Sequence, residues 1–137
     1  MTRRTSAGLG ALALLAALGA APASASDAPT TNATTLMTRA LTDLPGKEVV
    51  MLTVEYLPGG ASLPHRHDAH VFVYVLEGQV EMQVAGQPLT TLGPGGVFYE
   101  APGDVHQTSR NASSTQSAKF LVVVLKDKDR ALTRPAP

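Results

Sequence analysis

Between Glu48 and Lys126 the chain is a succession of short β-type runs separated by turns that contain glycine or proline. No segment of this stretch has a helical period long enough to cover a sheet. The runs are EVVMLTVEYL, HVFVYVLE, VEMQVA, PLTTL, VFYE, VHQTSRN and AKFLVVVLK. Closely spaced short strands with such turns are typical of sandwiches and small barrels. The sequence therefore predicts an all-β domain.

The length of 137 residues favours one domain with shorter flanking segments. Residues 1–25 have the layout of a bacterial secretory signal peptide, with two arginines, the apolar run AGLGALALLAALGA and A-x-A sequences within APASA. We interpret residues 26–44 as a leader or sheet-edge segment and residues 45–126 as the folded domain. Residues 127–137 are charged and end in proline, and we predict a mobile tail there.

The N-terminal segment also bears on where the protein works. Its apolar run of 14 residues is shorter than the roughly 20 residues of a transmembrane helix. We therefore expect cleavage near Ala25, no stable membrane insertion afterwards, and a periplasmic or secreted mature protein; an uncleaved membrane anchor is the alternative. Arg3 and Arg4 leave twin-arginine export open beside Sec export.

The net charge and the absence of cysteine limit which partners the chain can bind and which side chains could ligate a metal. Removal of residues 1–25 leaves nine basic and eleven acidic residues and no basic stripe, so we expect no nucleic-acid partner. The chain has no cysteine, which excludes a disulfide and a thiolate metal ligand. A metal site in this chain has to use histidine and oxygen ligands.

All four histidines lie in two short stretches, with His65, His67 and His70 in HRHDAH and His106 in PGDVH. Alternate residues of a strand share a face, so His65 and His67 are expected to point inward together. Imidazole is a common metal ligand, and three imidazoles with an open position are typical of catalytic metal sites. The alternative is a set of surface histidines, or core histidines whose nitrogens are hydrogen bonded.

The same stretches resemble the two motifs of the cupin superfamily. GGASLPHRHDAHVFVYVLEG (residues 59–78) has the spacing of G-x5-H-x-H-x3-E-x6-G, and GGVFYEAPGDVH (residues 95–106) is similar to G-x5-P-x-G-x2-H. The resemblance covers roughly residues 45–126. It implies a small, single-domain, metal-binding cupin: an antiparallel jelly-roll β-barrel with a divalent metal inside and a small-molecule ligand or substrate at its mouth. The resemblance also implies that two chains could pair through their edge strands to form a homodimer.

The first motif departs from the family pattern at its glutamate, which would fall at Val71. His70 stands one place earlier, and a tight turn at Asp68 and Ala69 would let it point inward. A three-histidine site with an exposed His70 is the alternative. The metal ligands that we predict are His65, His67, His70 and His106.

The second motif departs at its proline and its asparagine. Ala101 stands where the proline is expected, with Pro102 next to it, and Arg110 stands where the asparagine is expected, with Asn111 next to it. The turn before His106 is therefore predicted to differ in shape from the family's.

An all-histidine centre would keep the full +2 charge of the metal, because it lacks an anionic ligand. That charge favours Lewis-acid chemistry. Outside the cytoplasm, where the cell does not choose the metal, the intrinsic affinity of such a site favours zinc and copper. Zinc is the expected metal, with iron, manganese, nickel and copper as alternatives. Candidate catalytic residues are Glu100, Asp104 and Tyr99. Either carboxylate could instead orient a ligand imidazole, or be an ordinary solvated turn residue.

Three classes of function stay open. The first, which we expect, is a small-molecule metalloenzyme of the cyclase, isomerase, lyase or dioxygenase type. The second is a periplasmic metal- or ligand-binding or sensor module without turnover. The third is a metal-free structural or interaction domain. A proton-handling side chain beside the metal would favour the first class, and a wholly apolar pocket would favour the second.

Overall fold

A computed structural model describes residues 30–136, so the predicted signal peptide lies outside the described residues. Within residues 30–136 no helix is long and apolar enough to span a membrane. Eleven strands follow one another in this range: β1 (Thr31–Ala40), β2 (Lys47–Tyr56), β3 (Ala61–Ser62), β4 (His65–Arg66), β5 (Ala69–Glu77), β6 (Val80–Val84), β7 (Thr90–Leu92), β8 (Val97–Glu100), β9 (Val105–Asn111), β10 (Ala118–Asp127) and β11 (Arg134–Pro135).

The strands form two antiparallel sheets around one hydrophobic core. One sheet has the order β1-β2-β10-β5-β8, and the other has the order β11-β4-β9-β6-β7 with β3 beside β9. All pairings between the described strands are antiparallel. The fold is the antiparallel jelly roll that the sequence predicts.

The two central strands show why these residues form sheets. In β5 the buried positions Ala69, Val71, Val73 and Val75 alternate with exposed ones, and β10 alternates with the same period of two. Successive strand residues point to opposite faces, so this pattern places one row of small and β-branched side chains inside. The core continues into the facing sheet through Val80 and Met82, which are fully buried.

The N-terminal segment forms an edge strand in its described part. β1 pairs with β2 along nearly its whole length, from Thr31 opposite Tyr56 to Ala40 opposite Glu48. All but one of its ten residues are exposed, as expected of a strand with an uncovered face. Residues 31–40 are therefore an edge strand of this sheet.

The C-terminal segment differs from the mobile tail that the sequence predicts. β10 extends to Asp127, and the chain then turns back so that Arg134 and Pro135 pair with Arg66 and His65 of β4. Arg134 also forms an ion pair with Asp68, with Nη2 and Oδ1 2.7 Å apart. Residues 128–136 are thus a strap beside the histidine-containing stretch.

Lys126 supplies the physical reason for the ordered strap. Its side chain is buried, and Nζ donates hydrogen bonds to the carbonyl oxygens of Asp127, Lys128 and Arg130. Nζ also lies 2.7 Å from a carboxylate oxygen of Glu48. These contacts fix the turn that begins the strap, because a buried ammonium needs several oxygen partners.

Gly78 and Gly86 form a matched pair for testing the turns. Both have positive φ, +70° and +82°, but a Cβ on Gly78 would lie 2.5 Å from the carbonyl oxygen of Ser117, whereas a Cβ on Gly86 would meet nothing within 4 Å. Gly86→Ala is expected to lower the free energy of unfolding by about 1 kcal/mol through its left-handed backbone. Gly78→Ala should lower it by about 1–3 kcal/mol more through the clash. Urea denaturation measures both, and equal losses would contradict the close packing at Gly78.

Candidate metal centre

Three histidines meet on the inner side of the fold. His65 of β4 is directly opposite His106 of β9, and His67 follows β4 by one residue. The ring centre of His65 lies 5.0 Å from that of His67 and 5.1 Å from that of His106. Imidazoles bound to one metal through Nε2 at roughly 2.1 Å would have ring centres about 4.5–5.3 Å apart. The ring spacing therefore suits a shared ion.

Each of the three rings has Nδ1 next to an oxygen atom that can accept a hydrogen bond. His65 Nδ1 donates to the carbonyl oxygen of Leu63 at 2.8 Å, and His67 Nδ1 donates to that of Leu132 at 2.6 Å. His106 Nδ1 lies 3.1 Å from Oε1 of Glu100. Such partners favour the tautomer with the proton on Nδ1 and leave the Nε2 lone pair free. This is the arrangement that metal-ligating histidines usually have.

Burial leaves polar atoms of this cluster without partners. His67, His106 and Glu100 are buried, and Glu100 is only 2% exposed. Nε2 of His106 and Oε2 of Glu100 have no hydrogen-bond partner. Buried polar atoms in native proteins nearly always have a partner, so two unsatisfied polar atoms in this cluster fit a bound group.

The electrostatics of His65 favour a neutral ring. Burial lowers the pKa of His65 below its ordinary value of 6.5, and the neighbouring His106 and His67 rings lower that pKa further against an opposing hydrogen bond to Leu63. A neutral imidazole is the form that binds metal.

The side chains still have to move to close around an ion. Among residues 30–136, no three His, Asp or Glu side chains are already arranged to hold a metal. Oε2 of Glu100 and Nε2 of His67 are 3.9 Å apart, whereas two donors on one metal would be about 3.0–3.4 Å apart. The residue types, ring spacing and unsatisfied atoms fit a divalent metal, although the donor atoms are not yet arranged around one point.

His70 is not brought to the other three histidines. It lies at an exposed position of β5, between the buried Ala69 and Val71. Its Nδ1 is hydrogen bonded at 2.8 Å to the hydroxyl of Tyr99, which also faces outward. The expected turn at Asp68 and Ala69 does not make His70 point inward, because β5 already starts at Ala69 and its buried and exposed residues alternate from there.

The three candidate catalytic residues have different surroundings. Tyr99 lies on the outer face with His70, 48% exposed. Asp104 accepts a hydrogen bond from the backbone N–H of Ala101 and so stabilises the turn before β9. Glu100 alone of these three lines the cavity beside the histidines.

That cavity has a volume of about 820 Å³ and lies between the two sheets. Its polar end is formed by the three clustered histidines and Glu100, and the strap covers part of its wall. Apolar side chains form most of the remaining wall: Leu52, Val54, Val71, Val73, Phe120 and Val122. A cavity of this size and lining suits a small, mainly apolar molecule.

A family model described as "Cupin domain" matches residues 52–124, which is more than half of the chain. The chain belongs to the cupin family. Solved cupin-like structures agree with that fold. A cupin-like protein from Thermotoga maritima has 18% sequence identity and a TM-score of 0.60, with 80% of this chain and 77% of that chain covered. No curated protein matches the chain significantly.

Two similar structures belong to enzymes. DMSP lyase DddQ from Ruegeria pomeroyi has 24% identity and a TM-score of 0.57, with 64% of this chain and 43% of that chain covered. The polyketide cyclase RemF from Streptomyces resistomycificus has 23% identity and a TM-score of 0.55, with 74% and 73% covered. This cupin thus spans less than half the length of the lyase that it resembles. Identities this low establish the fold and leave the activity open.

The cupin's displaced asparagine has a structural role. The side-chain amide of Asn111 is buried and donates to the carbonyl oxygens of Tyr56, Leu57 and Gln116. Arg110, at the motif position, instead forms an exposed ion pair with Glu81. The asparagine therefore ties β9 to the end of β2 and takes no part in the histidine cluster.

Sequence reasoning missed the polar wall formed by Tyr56, Ser62 and Ser109. The Tyr56 hydroxyl lies 2.7 Å from each serine hydroxyl, and all three residues line the cavity. It also missed Leu132, whose carbonyl oxygen holds His67. No local signal marks these residues, because their contacts join segments 6 to 65 positions apart.

The buried hydroxyl of Tyr56 is expected to make the free energy of unfolding depend on pH in the alkaline range. Burial raises the pKa of Tyr56 above its ordinary value of 10.0, against the hydrogen bonds from Ser109 and Ser62. The unfolded chain therefore releases this proton first, and the stabilisation present below pH 10 is lost as the pH rises further. Tyr56→Phe should cost about 1–2 kcal/mol at pH 8 through lost hydrogen bonds, and this deficit should shrink between about pH 9 and 11. Urea denaturation across that range would contradict the prediction if the deficit stayed constant.

Proposed function

We propose that the chain is an exported single-domain cupin that binds one divalent metal through His65, His67 and His106 and acts on a small molecule in the adjoining cavity. The observation that carries the proposal is the set of three rings whose Nδ1 atoms face oxygen acceptors, with Nε2 of His106 buried and unpartnered. Three such rings at about 5 Å spacing suit a metal better than a hydrogen-bonded core.

A bound metal would act as a Lewis acid on an oxygen of the substrate. Zinc fits the all-nitrogen donor set and is the metal that we favour, with iron, manganese, nickel and copper as alternatives. The protein's part is to position and to exclude water. The apolar walls hold the substrate body, and the hydroxyl groups of Tyr56, Ser62 and Ser109 offer hydrogen bonds to its polar end.

A second candidate function is a periplasmic binding or sensor module without turnover. The mainly apolar cavity lining favours it, because a catalyst needs groups that exchange protons with the substrate. The two functions share the metal and the ligand and differ only in whether the ligand is changed.

The experiment is untargeted mass spectrometry of a metabolite extract incubated with the zinc-loaded protein. The matched control is His106→Ala, treated in the same way. The enzyme proposal expects one class of small molecule to be consumed, and a product to accumulate, only with the wild-type protein. Retention of an unchanged molecule by wild type, without consumption, would replace the enzyme with the binding module.

A further inference from the structure

We propose that the hydroxyl groups of Tyr56, Ser62 and Ser109, here called the hydroxyl cluster, form a second binding point for the molecule that the metal holds. The class of substrate is then a mainly apolar molecule that has one oxygen for the metal and a second, uncharged acceptor oxygen, such as that of a ketone. The inference rests on the proposed function and names the class of molecule on which the protein acts.

Strand pairing fixes the distance between the hydroxyl cluster and the histidines. Ser62 is directly opposite Ser109, as His65 is directly opposite His106. The two pairs are three residues apart on both sides of the pairing, so they are separated by no more than about 10 Å along β9. A small molecule can span this distance.

A bulge in β9 turns both pairs towards the same cavity. Residues three apart in a regular strand point to opposite faces, yet His106 and Ser109 are both buried and both line the cavity. The register with β6 shifts between His106 and Thr108, so Gln107 is an extra residue in β9. Such bulges re-aim side chains and are common beside active sites.

The hydroxyl cluster has one donor more than its own contacts use. The hydroxyl oxygen of Tyr56 lies 2.7 Å from Oγ of Ser62 and 2.7 Å from Oγ of Ser109. Three hydroxyl groups carry three protons, and these two hydrogen bonds use two of them. Tyr56 and Ser109 are only 1% and 4% exposed, and a buried donor without a partner is unfavourable. One O–H is therefore left for a molecule in the cavity.

The surroundings of the hydroxyl cluster select an uncharged oxygen. Burial and the nearby charge of Glu100 raise the pKa of Tyr56, so its proton stays in place at neutral pH. Among the lining residues within 30–136 the cation is Arg134, whose half-exposed guanidinium is paired with Asp68. A carboxylate at the cluster would be buried without a counter-charge, which is costly, whereas a ketone oxygen needs only the free O–H.

A series of zinc-binding probes measures the second binding point. Octanohydroxamic acid presents a hydroxamate to the metal and a plain alkyl chain to the cavity. Its 5-, 6- and 7-oxo derivatives add one ketone oxygen at increasing distance, and suberic acid monohydroxamate ends in a carboxylate. Calorimetry gives the affinity of each probe for the zinc-loaded protein. The infrared carbonyl stretch of an isotope-labelled ketone reports whether that ketone accepts a hydrogen bond.

The variant Tyr56→Phe/Ser62→Ala/Ser109→Ala removes the three hydroxyl groups together. It leaves none of them without its partner, so the fold is expected to persist, and circular dichroism verifies this. Thr108→Val is the matched control, because it removes a hydroxyl group of the same strand that is bonded to Gln83 and lies outside the cavity lining.

We expect one oxo derivative to bind wild type and Thr108→Val about tenfold more tightly than octanohydroxamic acid does. Its carbonyl stretch should move to lower wavenumber, and the triple variant should lose the gain in affinity. The carboxylate probe should bind more weakly than that oxo derivative. If the triple variant does not fold, the gain and the infrared shift in wild type decide alone.

Three results would overturn the inference and leave the proposed function standing. The first is binding of octanohydroxamic acid without a gain from any ketone, and the second is a gain that the triple variant keeps. The third is tighter binding of the carboxylate probe, which would exclude the uncharged oxygen. Failure of every probe to bind the zinc-loaded wild type would instead count against the metal and cavity of the proposed function, and the inference would fall with them.

Discussion

Replacing His106 with alanine is expected to weaken zinc binding by at least about 100-fold, because loss of even an outer partner of a ligating histidine costs about 10–100-fold. His106 is buried, directly opposite His65, and has an unpartnered Nε2. Isothermal titration calorimetry of the metal-free protein with zinc measures the change.

His70→Ala is the matched control for that experiment. His70 belongs to the same HRHDAH stretch but faces outward against Tyr99. Its removal is expected to leave zinc affinity within about twofold of wild type, since an exposed side chain outside the site rarely matters by more. Equal losses in the two variants would contradict the geometry of the cluster and return His70 to the ligand set.

Replacing Lys126 with methionine is expected to lower the free energy of unfolding by about 3–5 kcal/mol, the usual cost of removing one partner of a buried ion pair. Lys126 and Glu48 are almost buried, with side-chain exposures of 7% and 14%. Methionine would leave Glu48 without its cation and three carbonyl oxygens without their donor. Chemical denaturation followed by circular dichroism measures the loss.

Lys47→Met is the control, since Lys47 also pairs with a carboxylate at 2.7 Å but at exposures of 45% and 53%. Exposed pairs contribute about 0–1 kcal/mol, so this variant should be nearly neutral. The strap would also loosen in Lys126→Met, and proteolysis after Arg130 should become faster than in wild type. Similar stability losses in both variants would show that Lys126 does not hold the strap through a buried contact.

The strands could be predicted from the sequence because their signals are local. HVFVYVLE alternates and is bounded by Gly78, and it became β5 with one residue added at its start. AKFLVVVLK became β10, again with one residue added. Period-two patterning and glycine turns act over a few residues, and tertiary contacts adjust only their ends.

The histidine cluster could be predicted from the sequence only where the spacing of the motifs decides which residues belong to it. His65 and His67 came from the motif, and His106 from the second motif. The prediction that His70 is a ligand assumed that the turn would make it point inward, whereas β5 alternates from Ala69 onward and His70 is exposed. The alternation of inward and outward side chains within a strand is local, but the residue at which the strand begins depends on its pairing with neighbouring strands.

The sequence named Glu100 only as one of three candidates, and it did not single out Leu132 or Lys126, because the contacts of all three depend on strand register and on the return of the chain. Glu100 meets the histidines through the pairing of β8 with β5. Leu132 reaches His67 from 65 residues away. The sequence of the segment KDKDR predicts solvent-exposed charged side chains. In the structure Lys126 is buried, and its ammonium group donates hydrogen bonds to the backbone carbonyl oxygens of the residues that follow it.

Metal analysis of the folded protein tests the central claim most directly. Purified protein, with circular dichroism showing the β fold, is analysed by plasma mass spectrometry for zinc, iron, manganese, nickel and copper. The structure predicts close to one divalent ion per chain in wild type and a small fraction of that in His106→Ala. A folded wild-type chain that holds no metal, and that takes up none on titration, would contradict the three-histidine site.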